Sequence, residues 1–167
     1  MATMAGMSAP FTIAVVCTGN ICRSPIGEAV IRDAIADAGL TDRVRVFSAG
    51  TGDWHLGEDA DHRALSVLTQ KGHHLTDHRA RRFAAADFAV ADLVLALDQS
   101  HVDTLRRLAP DPDAQEKVRL LRSFDPDRED DEVADPYYGD RRDFEISYAE
   151  ILAAAPGIVA HVRERLA

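Results

Sequence analysis

The chain is poor in cysteine: Cys17 and Cys22 are the only two in 167 residues. That excludes a disulfide scaffold and a four-cysteine zinc site, and it points to a reducing compartment. No apolar run approaches the ~20 residues that a membrane helix needs. Residues 1–10 have neither a basic start nor a long apolar stretch. They read as a flexible lead-in, not a signal peptide. Basic charge is also scarce, with 19 Lys+Arg against 28 Asp+Glu and a net charge of −9. A general binder of nucleic acid or anionic membranes needs the opposite balance. Only two of the basic residues are lysine, which we take as composition bias. There is no internal repeat and no Pro/Gly/Ser-rich linker.

What remains is globular. Hydrophobic residues make up 46% and charged residues 28%, enough for one domain over 11–167 with a real core. Apolar runs alternate with helix-like segments, the pattern of an α/β fold. Strands are predicted at Phe11–Val16, Val44–Ser48, Ala91–Leu97 and Lys117–Leu121. Helices are predicted from Ser24-Pro25 to Ala38, with Ser24 as cap, and over Asp61–Lys71, Phe83–Phe88 and Gln99–Leu108. Helical spacing from Phe144 to Leu166 meets Pro156-Gly157, which predicts a kink or a broken pair. The expected architecture has three α/β/α layers around four parallel strands. Ligands then sit beyond the carboxyl ends of the strands, at the loops after Val16, Ser48, Leu97 and Leu121.

The loop after the first strand, Cys17-Thr18-Gly19-Asn20-Ile21-Cys22-Arg23, runs into a helix N-terminus. Five residues separate Cys17 from Arg23. Gly19 and Asn20 tolerate the left-handed angles that a tight curl needs. Inward amides at a helix N-terminus make a cradle for a tetrahedral dianion, and Arg23 can fork two donors onto its oxygens. The same surroundings favour the thiolate of Cys17, an in-line nucleophile on phosphorus. Ser24 could donate a hydroxyl hydrogen bond to it. A lone cysteine is ordinarily a small buried hydrophobe; the strand, Gly-Asn, Ser-Pro and helix around this one argue otherwise. There is no Gly-x-x-x-x-Gly-Lys-Ser/Thr, which excludes a nucleotide P-loop.

A leaving oxygen must be protonated and water later activated. Asp135, in Asp135-Pro136-Tyr137-Tyr138-Gly139, is the candidate acid, stiffened by Pro136. Its bland alternative is a solvated acidic loop over 125–138.

Together, Cys-x5-Arg-Ser-Pro, Ser48-Ala49-Gly50-Thr51 with Trp54 after it, and Asp135-Pro136-Tyr137-Tyr138 resemble the low-molecular-weight protein tyrosine phosphatases. The resemblance runs from Phe11 onward, and the Thr-Gly-Asn-Ile-Cys loop is most similar to actinobacterial members. It implies Cys17 as the nucleophile of a phosphocysteine intermediate, Arg23 on phosphate and Asp135 as acid and then base. Thr18, Gly19, Asn20, Ile21 and Cys22 would complete the phosphate loop, with Thr18 at a rim that tunes substrate preference. Trp54, Tyr137 and Tyr138 would line the entrance around a phenyl ring. Ser24 would support the thiolate, and His78 would hydrogen-bond to Asn20. Cys22 would be able to form a disulfide with Cys17, protecting it from irreversible oxidation.

The resemblance also implies phosphotyrosine proteins or small aryl phosphates as substrates, inorganic phosphate as product, no cofactor, and a cytoplasmic monomer. Some actinobacterial members act outside the cell without a signal peptide. Arsenate reductases share Cys-x5-Arg but need further cysteines, and arginine phosphatases have Thr where Ile21 stands and lack the tyrosine pair. A phosphate-binding module without turnover would lack the acid. Asp53, His55, Asp59, Asp61 and His62 read as surface residues, not metal ligands. His73, His74, His101 and His161 read as surface or interhelical. The acidic segment before Asp135 implies that acidic residues flanking a phosphotyrosine add little.

Overall fold

The computed structural model describes residues 9–167. The predicted lead-in falls almost wholly on residues 1–8, outside the described residues. Four strands form one parallel sheet in the order β2-β1-β3-β4. They are β1 (Phe11–Cys17), β2 (Val44–Gly50), β3 (Leu93–Ala96) and β4 (Val118–Leu120). Among the described residues five α-helices surround them: α1 (Arg23–Asp37), α2 (His62–Gln70), α3 (Gln99–Leu108), α4 (Pro112–Glu116) and α5 (Arg141–Leu166).

The period-two alternation of a strand divides the core. Ile13, Val15 and Cys17 of β1, with Leu93 and Leu95 of β3, meet α1, α2 and α5 on one face. Ala14, Val16, Val94 and Ala96 meet Val102 and Leu105 of α3 on the other. β1 is buried along its whole length, as expected of a central parallel strand covered on both faces.

Several elements depart from expectation. β1 runs one residue further and takes in Cys17; β2 runs two further, and pairs Gly50 with Cys17. Residues 85–89 form a 3₁₀ turn where a short helix was expected. α4 was not anticipated, although Asp111-Pro112 is a start signal: the Asp111 side chain accepts from the Ala114 N–H. α5 is one helix of 26 residues, not a broken pair. Pro156 lies on its exposed side, as does Leu152, whose carbonyl loses its partner. The opposite side is packed throughout. Gly157 serves close approach: a Cβ there would stand 2.0 Å from the Phe124 carbonyl oxygen.

Candidate active site

The site lies at the carboxyl ends of β1 and β3, neighbours in the sheet whose chains leave in opposite directions. Four outward hydrogen bonds shape the loop after Cys17. The carbonyls of Cys17 and Thr18 accept from the N–H groups of Thr51 and Gly52, at 2.8 and 3.0 Å. The Asn20 carbonyl accepts from Nε2 of His78 at 2.8 Å, and that of Ile21 from Asp61 N–H at 2.8 Å. A trans peptide points its N–H opposite to its C=O. With these carbonyls turned out, the N–H groups that follow them turn in, and the loop becomes a ring of donors.

Asn20 holds the tightest point, at φ 59°. Its Nδ2 donates to Ser24 Oγ (2.8 Å) and Ser48 Oγ (3.0 Å), and its Oδ1 accepts from Arg81 N–H. Ser48 in turn donates to the buried Glu28 at 2.6 Å. Gly50 makes the curl possible, since a Cβ there would meet the Thr18 carbonyl oxygen at 2.6 Å. Gly19 does not adopt the left-handed angle expected of it. Its bare backbone instead leaves room for the His55 ring, 2.9 Å from where a Cβ would stand.

Cys22, not Ser24, caps α1, and no side chain closes that end. Ser24 is thereby free to meet Cys17, with Oγ 3.0 Å from Sγ. Burial, reinforced by the nearby Asp61 carboxylate, pushes the Cys22 thiol well above its usual range and keeps it protonated. Both cysteines are free and buried.

Arg23 is 3% exposed. Its Nη1 donates to Asp98 Oδ2 at 2.8 Å and to the Val133 carbonyl at 3.0 Å. Its Nη2 lies 3.6 Å from Asp135 Oδ2. Burial opposes charge on Asp98, but hydrogen bonds from Ser100 and Arg23 prevail, and its carboxyl lies below the usual range. The segment bearing Asp135 is tied from several sides. Val133 N–H donates to the Leu97 carbonyl, Ser147 Oγ to that of Ala134, and Arg63 to those of Tyr137 and Gly139. Arg63 is itself oriented by Asp61, whose carboxyl the Arg63 hydrogen bond holds low.

Cys17, Thr18, Gly19, Ile21, Cys22, Arg23, Trp54, Asp135, Tyr137 and Tyr138 thus share one cleft of about 470 Å³. Asn20, Ser24 and His78 stand behind its loop. Trp54 (72% exposed) and Tyr138 (95%) stand at the mouth, and Tyr137 packs edge-on to Tyr138.

His55, on the cleft wall, was missed as a site residue; so were Asp98, Ser48, Glu28 and Arg63. The groups they meet at the site are distant in sequence, Gly19 for His55, Arg23 for Asp98, Asn20 for Ser48, Ser48 for Glu28 and Tyr137 for Arg63, so spacing carried no sign of them. The expectation for His101 was wrong: it is 1% exposed, with Nε2 2.8 Å from Thr18 Oγ1. His73 joins α1 to α5 through Asp33 and Tyr148, and His161 packs on Phe124. Asp53, Asp59 and Asp61 pair with Arg82, Arg79 and Arg63, while His62 is exposed. Among the described residues no group of three or more is placed to hold a metal ion, and no helix is long and apolar enough to cross a membrane.

Burial drives the His101 pKa down from 6.5 to about 4, against the attraction of Asp98. A histidine lowered in the fold contributes stability that is present above pH 6.5 and is lost as pH falls through 6.5 toward 4. At most about 3 kcal/mol is at stake. Urea unfolding at pH 7 and pH 4.5 is expected to show a smaller acid loss for His101→Gln than for the wild type. Equal losses would remove His101 from the acid response.

The family model described as low molecular weight phosphotyrosine protein phosphatase matches residues 12–167. A low molecular weight protein-tyrosine-phosphatase of Streptomyces coelicolor is 51% identical over 158 residues, covering 93% of this chain and 96% of its own. Low molecular weight protein-tyrosine phosphatase A of Mycobacterium tuberculosis is 48% identical over 163 residues, covering 96% and 97%. The crystal structure of an Entamoeba histolytica protein tyrosine phosphatase, with Hepes in its active site, superposes with a TM-score of 0.89. That match has 30% identity over 94% of this chain and 99% of the other.

Proposed function

The chain belongs to the low molecular weight phosphotyrosine protein phosphatase family and is a protein-tyrosine-phosphatase; from that premise, we propose that it hydrolyses phosphotyrosine through a phosphocysteine intermediate. The observation that carries this reading is the meeting of Cys17, Arg23 and Asp135 at one cleft, from opposite ends of the chain, with Ser24 Oγ behind Cys17 Sγ.

The phosphoryl group seats on the inward amides, which stabilise charge developing on its equatorial oxygens. Nη1 of Arg23 is already engaged, which leaves Nε and Nη2 for two of those oxygens. The Cys17 thiolate attacks phosphorus in line. As the P–O bond to the phenol breaks, Asp135 gives its proton to the leaving oxygen. Asp135 then takes a proton from water, which attacks phosphorus and breaks the P–S bond. Inorganic phosphate leaves, and the returning thiolate accepts the Ser24 hydroxyl hydrogen bond. Tyr137, Tyr138 and Trp54 hold the phenyl ring, which favours phosphotyrosine over phosphoarginine. A Cys17–Cys22 disulfide would protect the nucleophile under oxidant. Two cysteines leave no third thiol to relay that bond, which disfavours arsenate reduction. The enzyme acts as a cytoplasmic monomer on phosphotyrosine proteins.

Asp135→Asn tests the acid. Turnover of phenyl phosphate is expected to fall by about 10²- to 10⁴-fold. The loss should be smaller for dinitrophenyl phosphate, whose leaving group needs no proton. Equal losses on both substrates would move the acid to another residue.

A further inference from the structure

Thr18 stands apart from the rest of its loop. Cys17, Asn20, Cys22 and Arg23 are buried, whereas Thr18 is exposed and lines the cleft. Its side chain therefore lies at the rim, beyond the amides that face a phosphate. An exposed threonine hydroxyl ordinarily turns among staggered positions and bonds to water. This one is held, 2.8 Å from Nε2 of the buried His101 ring.

The direction of that bond follows from the other ring nitrogen. Asp98 N–H donates to Nδ1 of His101 at 3.3 Å. Asp98 Oδ1 lies 3.4 Å from the same nitrogen, but it already accepts from the Ser100 hydroxyl and the His101 N–H. A backbone N–H is an obligatory donor, so Nδ1 accepts and the ring proton sits on Nε2. Nε2–H then donates to Thr18 Oγ1, and the hydroxyl keeps its own hydrogen free to turn into the cleft. The same Asp98 carboxylate holds Arg23, so one short segment braces both the phosphate arginine and the rim hydroxyl.

We propose that His101 is a positioning residue that fixes the Thr18 hydroxyl as a donor to an oxygen of the peptide carrying the phosphotyrosine. The pair thereby sets a preference for phosphopeptides over small aryl phosphates. This rests on the phosphatase reading above. A peptide supplies the fitting acceptor: the phosphoryl oxygens are met deeper, by the loop amides and Arg23. The phenyl ring offers no oxygen, so the acceptor left for a rim donor is a main-chain carbonyl beside the phosphotyrosine.

The test compares kcat/KM for a short phosphotyrosyl peptide and for phenyl phosphate, which has no oxygen beyond its phosphate. In Thr18→Val the peptide-to-phenyl-phosphate ratio is expected to fall about tenfold, through KM for the peptide. His101→Asn keeps an acceptor near Nδ1 but does not reach Thr18, so it should match Thr18→Val. The double variant should fall no further. His101→Gln carries an amide N–H near the Nε2 position and should restore the ratio. An unchanged ratio in Thr18→Val overturns the proposal; so does an additive double variant, or a loss through kcat alike on both substrates. Should the His101 variants not fold, the surface variant Thr18→Val decides alone. A wild-type protein that turns over neither substrate would instead sink the phosphatase reading.

Discussion

Cys17→Ser is expected to lower turnover of phosphotyrosine and phenyl phosphate by about 10⁵-fold or more, the scale seen when a covalent nucleophile is removed. Phosphate binding should survive. The ring of inward amides is set by the carbonyls of residues 17, 18, 20 and 21, each bonded outward to a partner that does not involve sulfur. Serine is smaller and can keep a hydrogen bond to Ser24. Trp54 is the only tryptophan in the chain and stands at the mouth of the cleft, so its fluorescence offers a direct phosphate titration. Turnover within tenfold of wild type would exclude Cys17 as nucleophile. Loss of phosphate binding along with turnover would make its role structural.

Arg23→Lys should be the next most damaging change, lowering kcat by about 10³-fold. Lysine brings one compact cation where the site needs a planar fork. Arg23 also has a second task. Lysine can serve at most one of the two partners that Arg23 Nη1 now holds, so the Asp98 carboxylate or the Val133 carbonyl loses a donor, at a cost of about 1–3 kcal/mol. The melting temperature should therefore drop together with activity. Arg23→Lys retaining kcat/KM within tenfold of wild type would contradict the role given to the fork.

These two changes fall on the part of the site most legible in the sequence. Cys17 to Ser24 is one contiguous loop between a buried strand and a helix, so its course could be read from local spacing. Asp135-Pro136-Tyr137-Tyr138 was singled out through its resemblance to a family motif, since its composition alone also reads as a solvated acidic loop; the structure brings Asp135 and both tyrosines to the cleft. The braces were not legible. Asp98 meets Arg23 across 75 residues, and His101 meets Thr18 across 83. His101 sits at the start of a helix that is otherwise polar on one side, and nothing local marks its ring as buried. The Glu28–Ser48–Asn20 chain depends likewise on strand β2 lying beside β1. Pro156 shows the opposite error. A strong local rule offered a kink or a broken pair, and with its buried side packed throughout, α5 is not broken.

Asp135 and Cys17 come from opposite ends of the polypeptide, and α5 buttresses the segment that carries Asp135. Glu150 of α5 accepts from Ala134 N–H and from Arg122, whose Nη1 also donates to the Glu132 carbonyl. During synthesis, a chain that has emerged only as far as Tyr138 holds Cys17, Arg23 and Asp135 but not the buttress. Assembly of the cleft therefore waits for the last helix: α5 packs against β1 and α1 on either side of the Cys17 loop, so a chain truncated before Arg141 is expected to lose both the support of the Asp135 segment and the core beneath that loop.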